Sequence, residues 1–191
     1  MDQSKIDRLL EHSVEAVENT FKYLIRLQKK KINPLKSGIP HLDTIGLGGI
    51  LPDTVISIAA RASQGKSYTA NTIRINLLKD KDEEIGILLW NLEMPFFTLM
   101  MVELRKVLNK SLKAILATPP TESELPFYKK VSDEFKDPRL TKIDETVTPE
   151  EWYITTRQYI LNNIDKKQLI IILDHIGIIK GTNKTESIAQ T

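Results

Sequence analysis

Residues 54–67, Thr-Val-Ile-Ser-Ile-Ala-Ala-Arg-Ala-Ser-Gln-Gly-Lys-Ser, decide the fold. The first half, Thr54–Ala60, is short, apolar and β-branched, the pattern of a buried parallel strand. The second half, Ala60–Ser67, meets G-x-x-x-x-G-K-[ST] at every fixed position except the first, where Ala60 replaces glycine. A helix is expected from Gly65 to about Lys79. Strand, loop and helix in that order make a cradle for phosphate, because successive backbone N–H groups converge on an anion at a helix N-terminus. Arg61, Ala62, Ser63, Gln64, Gly65, Lys66 and Ser67 form the cradle. Gly65 permits close backbone approach, Lys66 brings a point charge toward the β- and γ-phosphates, and the Ser67 hydroxyl is placed to ligate Mg²⁺. A methyl at Ala60 is compatible with the loop if its φ is negative.

Downstream, strands alternate with helices. Strands are expected at Ile85–Leu92, more weakly at Arg139–Asp144, and at Leu169–Leu173. Helices are expected at Pro95–Asn109 (with Pro95 in its first turn), Ser111–Ala117, Glu122–Lys136 and Thr148–Asn163, the last opening on Thr-Pro-Glu-Glu. With Thr54–Ala60 this makes four strands separated by helices, the signature of a parallel α/β sheet.

Two carboxylates fall where such a sheet binds ligands, at the carboxyl ends of its strands. Asp174 follows the apolar run Leu169–Leu173, the Walker B arrangement, and is a candidate to hold Mg²⁺ opposite Ser67. Glu93 follows Ile85–Leu92 and is a candidate to orient and deprotonate an attacking water. Taken without the loop, Glu93 reads more simply as an acid capping the start of the helix before Pro95. His12, His41 and His175 share no metal-ligand spacing, and packing is the simpler role for His175. Met94, Phe96, Phe97, Leu99, Met100 and Met101 read most simply as core or interface.

Upstream, residues 3 to about 31 read as one helix whose apolar stripe includes Ile6, Leu9, Leu10, Val14, Val17, Phe21, Leu24 and Leu27. Acidic residues lead it and Lys22, Arg26, Lys29, Lys30 and Lys31 close it, which suits the helix dipole. A solvated helix end explains that basic cluster better than nucleic-acid contact. Pro34 ends the helix, and a Gly/Pro-rich connector over 32–53 holds a short helical turn at His41–Ile45. The expected division is an N-terminal helical arm, 1–36, and an α/β domain, 37–191.

The 191 residues contain no cysteine, which excludes disulfides, Cys-ligated zinc and a thiol nucleophile. Lys and Arg number 27 against 25 Asp and Glu, so no charged tail dominates and no nucleic-acid-binding face announces itself. Aromatic residues are 6%, too few for a base-stacking sheet. No apolar run reaches the roughly 20 residues of a membrane span, and no secretory signal opens the chain.

From about Ser37 onward the sequence resembles the hexameric replicative DNA helicases of the DnaB type, bacterial and phage. The resemblance rests on SGIPHLDTIGLGGILPDTVISIAARASQGKS, with its Leu-Asp pair and Gly-Gly turn before the loop, on NLEMP at Asn91–Pro95, and on IIILDHIGII around Asp174. It implies a RecA-like P-loop ATPase core, a parallel sheet flanked by helices and preceded by an N-terminal helix. It assigns Lys66 and Glu93 to catalysis, Ser67 and Asp174 to Mg²⁺, and ATP to the loop. It also implies ATP-dependent unwinding by a homo-oligomeric, hexameric ring on single-stranded DNA, a primase or helicase loader as partner, and a cytoplasmic setting in a bacterium or phage-infected host. The N-terminal helix resembles the linker helix that docks on a neighbouring subunit.

The family continues past the Walker B strand with a sensor strand, a DNA-binding loop and an arginine finger. Here 17 residues follow Asp174. The expectation is an ATPase core incomplete at its C-terminus, with poor hydrolysis by this chain alone and DNA contacts made by regions absent here. Two alternatives stay open. One is a recombinase-type or clock-type ring ATPase of the same fold. The other is a non-enzymatic partner that binds a full-length helicase through the helix Asp2–Lys31.

Overall fold

The structure is a computed structural model and describes residues 3–29, 34–46, 48–61, 64–79 and 84–174. The chain divides into two compact units, Met1–Ile56 and Ser57–Thr191. In the first, helix α1 spans Gln3–Gln28. Val17, Phe21, Leu24 and Ile25 on α1 are exposed. Leu35 and Ile50 form an antiparallel bridge, each N–H donating to the other's carbonyl at 2.9 and 2.7 Å. Between them lies α2, Pro40–Ile45. Its Asp43 carboxylate accepts from the Ser37 N–H at 2.8 Å, the Ser37 hydroxyl at 2.6 Å and the Gly38 N–H at 3.2 Å. Asp43, of the Leu42-Asp43 pair of the sequence, is therefore the fastener of this connector. Burial pushes the Asp43 carboxyl up, but the hydrogen bonds from Ser37 and Gly38 together outweigh it and hold it below the usual range.

The second unit begins with α3, Lys66–Lys79, and continues with β1, Ile85–Asn91, buried at all seven positions. Then come α4 (Phe96–Leu108), α5 (Leu112–Ala117), α6 (Leu125–Phe135), β2 (Leu140–Ile143), α7 (Pro149–Asn162) and β3 (Gln168–Asp174). The three strands form one parallel sheet in the order β2-β1-β3. Complete burial of β1 follows from its central place, and its uninterrupted apolar run is what such a strand needs. Leu88, Trp90 and Leu92 alternate onto one face and pack with Tyr159 of α7, joined by Ile143, Trp152, Leu169 and Leu173. The Trp90 indole N–H donates to the Thr156 hydroxyl at 3.2 Å, so the largest buried side chain is also polar-satisfied. A Cβ at Gly86 would stand 2.8 Å from the Tyr159 hydroxyl and 2.9 Å from a Leu169 methyl, so the ends of those two side chains would have to shift.

Sequence and structure differ at Thr54–Ala60. The expected strand is extended chain without a ladder partner, every residue is exposed, and Val55 is 94% exposed. A parallel strand exists only beside a neighbour. β1 is already flanked on both sides, and the outer edge of β3 has no partner among the described residues. The expected four-stranded sheet is therefore three-stranded here. Pro95 is also displaced from its expected place. It is the N-cap of α4 (φ −59°, ψ 150°), not a first-turn residue. Having no side-chain acceptor, it leaves capping to Asp144, whose carboxylate accepts from the Phe96 N–H at 3.1 Å. The Thr148 expectation is met in full: Thr148 and Glu151 make a reciprocal capping box on α7.

Candidate nucleotide-binding site

Of the loop that enters α3, Arg61, Gln64 and Gly65 are described. Gly65 stands at φ +86°, a left-handed value that L side chains rarely adopt. The space around it is open, with a built Cβ meeting nothing nearer than Tyr68 Cβ at 4.0 Å, so the glycine is required by conformation rather than by crowding. Ala60 has no positive φ, which meets the condition for a methyl at the first loop position. The Gln64 N–H donates to the Arg61 carbonyl at 3.3 Å, turning the chain into the helix. Ala62 and Ser63 lie outside the described residues.

α3 begins at Lys66. Its first N–H groups have no acceptor within the helix, and the first turn carries no acidic residue to compete for them. The Gly65 carbonyl takes the Thr69 N–H at 2.9 Å and the Thr69 hydroxyl at 3.0 Å, fixing the opening turn. The Lys66 ammonium folds back over the loop and donates to the Ala60 carbonyl at 2.9 Å.

From β1 comes the opposing wall. Asn91, the last residue of the strand, is buried and donates through its side chain to the Met94 carbonyl at 2.7 Å. That bond closes the turn Asn91–Met94 and presents Glu93 on its exposed outer side. The Ser67 hydroxyl donates to a Glu93 carboxylate oxygen at 3.4 Å. Asp174 ends β3 in register with Asn91 and is 9% exposed. The structure thus brings Ser67 and Glu93 into contact and sets Asp174 at the same carboxyl-terminal sheet edge, with no hydrogen bond between Asp174 and Ser67. Arg61 and His41 are exposed. His175 and the side chain of His12 lie outside the described residues.

The donor set suits a magnesium nucleotide. Among the described residues no group of three or more His, Cys, Asp or Glu converges as a ready-made metal cage. Mg²⁺ bound with substrate phosphates does not need one, since one hydroxyl, one carboxylate and water supply the protein's share. Ser67, Glu93 and Asp174 offer hard oxygen atoms only, and Lys66 and the α3 N-terminus offer positive charge for the phosphates.

Two side chains important to this geometry were given no role by the sequence, although Asn91 opens the stretch NLEMP. Asn91 sets the Glu93 turn, and Asp144 caps the helix that follows it.

A parallel sheet flanked by helices, with a loop of this form entering the helix before its central strand, belongs to the RecA-like ATPase architecture. The solved ATPase domain of G40P shares this fold at a TM-score of 0.69 and 20% sequence identity, over 91% of this chain and 61% of that one. The chain therefore spans about three-fifths of the length of that domain. The family model of the DnaB-like helicase C terminal domain matches residues 34–191, and the chain belongs to that family of helicase-type ATPases. Comparison with curated proteins gives no match. No helix among the described residues is long and apolar enough to cross a membrane.

Proposed function

We propose that the chain is the Mg·ATP-binding part of a ring-forming replicative DNA helicase, with hydrolysis coupled to movement along single-stranded DNA. The observation that carries this reading is the meeting of Ser67 and Glu93 at the N-terminus of α3, beside Lys66. In this reading Arg61–Ser67 wrap the phosphates with backbone N–H groups, and Lys66 leaves the Ala60 carbonyl for the β- and γ-oxygens. Ser67 and Asp174 would hold Mg²⁺, which when bound would supply positive charge beside the phosphates. Glu93, exposed on its turn, orients a water and takes its proton as the water attacks the γ-phosphorus, and the bond from that phosphorus to the β–γ bridging oxygen breaks to release ADP and phosphate. The whole protein would act as a homo-oligomer, hexameric by family, in the cytoplasm. Its single-stranded DNA contacts, an arginine finger and a primase or loader surface would be supplied outside the described residues.

Unwinding of a forked duplex by the protein with ATP, abolished by Lys66→Ala, is the expected result. Strand exchange without unwinding would instead establish a recombinase-type ATPase. One further observation favours a second reading. Val17, Phe21, Leu24 and Ile25 of α1 are exposed, and a helix so built could dock on a helicase ring without any chemistry. Stoichiometric ring binding unaffected by Lys66→Ala, with no hydrolysis in any assembly, would replace the enzymatic reading by that one.

A further inference from the structure

Three polar residues of α3, Ser67, Asn71 and Arg74, stand at i, i+4 and i+7 and so share one helix face. Ser67 meets Glu93, and Asn71 meets Glu103 of α4 through a hydrogen bond from its amide to the carboxylate. The Arg74 Nε donates to the Asn71 side-chain oxygen at 2.8 Å, and its guanidinium lies 4.7 Å from the centre of the Phe135 ring. Asn71 is 6% exposed, Glu103 3% and Arg74 0%, while the two terminal nitrogens of Arg74 have no hydrogen-bond partner. One turn further along α4, the Lys106 ammonium sits 4.9 Å above the Tyr68 ring. Two side-chain pairs, 68 with 106 and 71 with 103, therefore bridge α3 and α4.

A buried ionic network is a poor way to gain stability. Apolar residues of similar volume are commonly as stabilising or more so. Hydrogen bonds do what apolar contact does not: they fix the register of one helix against another. Glu93 and Glu103 both belong to the β1–α4 segment, ten residues apart, and Ser67 and Asn71 are four apart on α3. A slide of α3 along α4 changes both pairs together. We propose that Asn71, Arg74 and Glu103 are positioning residues that lock α3 against α4 and thereby set the distance between the Ser67 hydroxyl and the Glu93 carboxylate. The consequence for Mg·ATP rests on the function proposed above, whereas the consequence for that distance does not.

The test uses the full chain carrying Asn71→Leu, Arg74→Met and Glu103→Leu together, which replaces the network by apolar groups and leaves no buried charge. Its crystal structure is expected to show Ser67 and Glu93 out of hydrogen-bond reach, and an unchanged 3.4 Å separation would overturn the proposal. In solution, a fluorescent ATP analogue is titrated with and without Mg²⁺. Metal-free affinity is expected to stay at the wild-type level, while the enhancement by Mg²⁺ falls by about tenfold or more, as when partners behind a metal ligand are removed. Glu103→Gln alone, with Asn71 in place and an acceptor kept for it, is expected to retain most of the enhancement. An enhancement equal to wild type in the triple variant counts against the proposal. If the triple variant does not fold, Asn71→Ser is read in the same two ways. Lys66→Ala, titrated in parallel, separates the cases: wild-type affinity there removes the nucleotide site itself, and the crystallographic distance still decides the positioning role.

Discussion

The Ser67 hydroxyl donates to a Glu93 carboxylate oxygen 3.4 Å away, across 26 residues of sequence. Ser67 is fixed by the first turn of α3, and Glu93 by the turn that Asn91 closes on the Met94 carbonyl. Neither residue is held by the other, so their meeting reports how two independently built elements sit on one sheet.

Replacing Glu93 by Gln keeps the size of the side chain and an acceptor for Ser67 but removes the base. Single-turnover ATP hydrolysis in the assembled protein is expected to fall by about 10²–10⁴-fold, the range of a general base, with nucleotide affinity little changed. A hydrolysis rate equal to wild type would transfer the role of base to another residue.

Gly65→Ala places an L side chain at φ +86° with room around it. The cost is conformational, about 1–2 kcal/mol if the loop holds its shape. The loop will instead relax where it is otherwise unsupported, so nucleotide affinity is expected to fall while the urea midpoint moves only slightly. A loss of stability without a loss of affinity would show that the loop conformation does not serve binding.

Asp144→Ala uncaps α4, because Pro95 offers no substitute. The expected loss is about 1 kcal/mol in urea unfolding, typical of a lost N-cap. Asp144→Asn, which keeps an acceptor, should recover most of it.

Asp137 gives the acid side of stability. The Arg139 guanidinium and N–H bond its carboxylate at 2.9–3.0 Å and hold the carboxyl below the usual range, against a smaller upward push from burial. A carboxyl depressed on folding contributes stability that is complete above its unfolded value, about 4, and is lost as pH falls through its folded value. Arg139→Met should therefore flatten the fall of the unfolding midpoint below about pH 4. Its effect at neutral pH includes the loss of the bond from Arg139 to the Leu78 carbonyl, 2.7 Å long.

Much of this was legible in the residues, for reasons that differ by element. β1 announced itself as an unbroken apolar run because a central parallel strand is buried on both faces. α7 was legible from Thr148-Pro-Glu-Glu because a capping box is local chemistry. Thr54–Ala60 was misread as a strand because pairing is collective, and no propensity supplies the neighbour. The positions of the four candidate site residues follow from the strands and helix that carry them: Lys66 and Ser67 open α3, Glu93 meets Ser67, and Asp174 ends β3 beside Asn91, while their roles are those proposed above. Arg74 and Glu103 were not, since hydropathy assigns both to the surface while the fold buries them against each other's helices.

The most direct test of the account is calorimetric titration of Mg·ATP into the wild-type chain and into Lys66→Ala. The account predicts saturable one-to-one binding by the wild type and a loss of about ten- to a hundredfold in the variant, the weight of one charge-assisted contact. Equal affinities would contradict a nucleotide site at the N-terminus of α3.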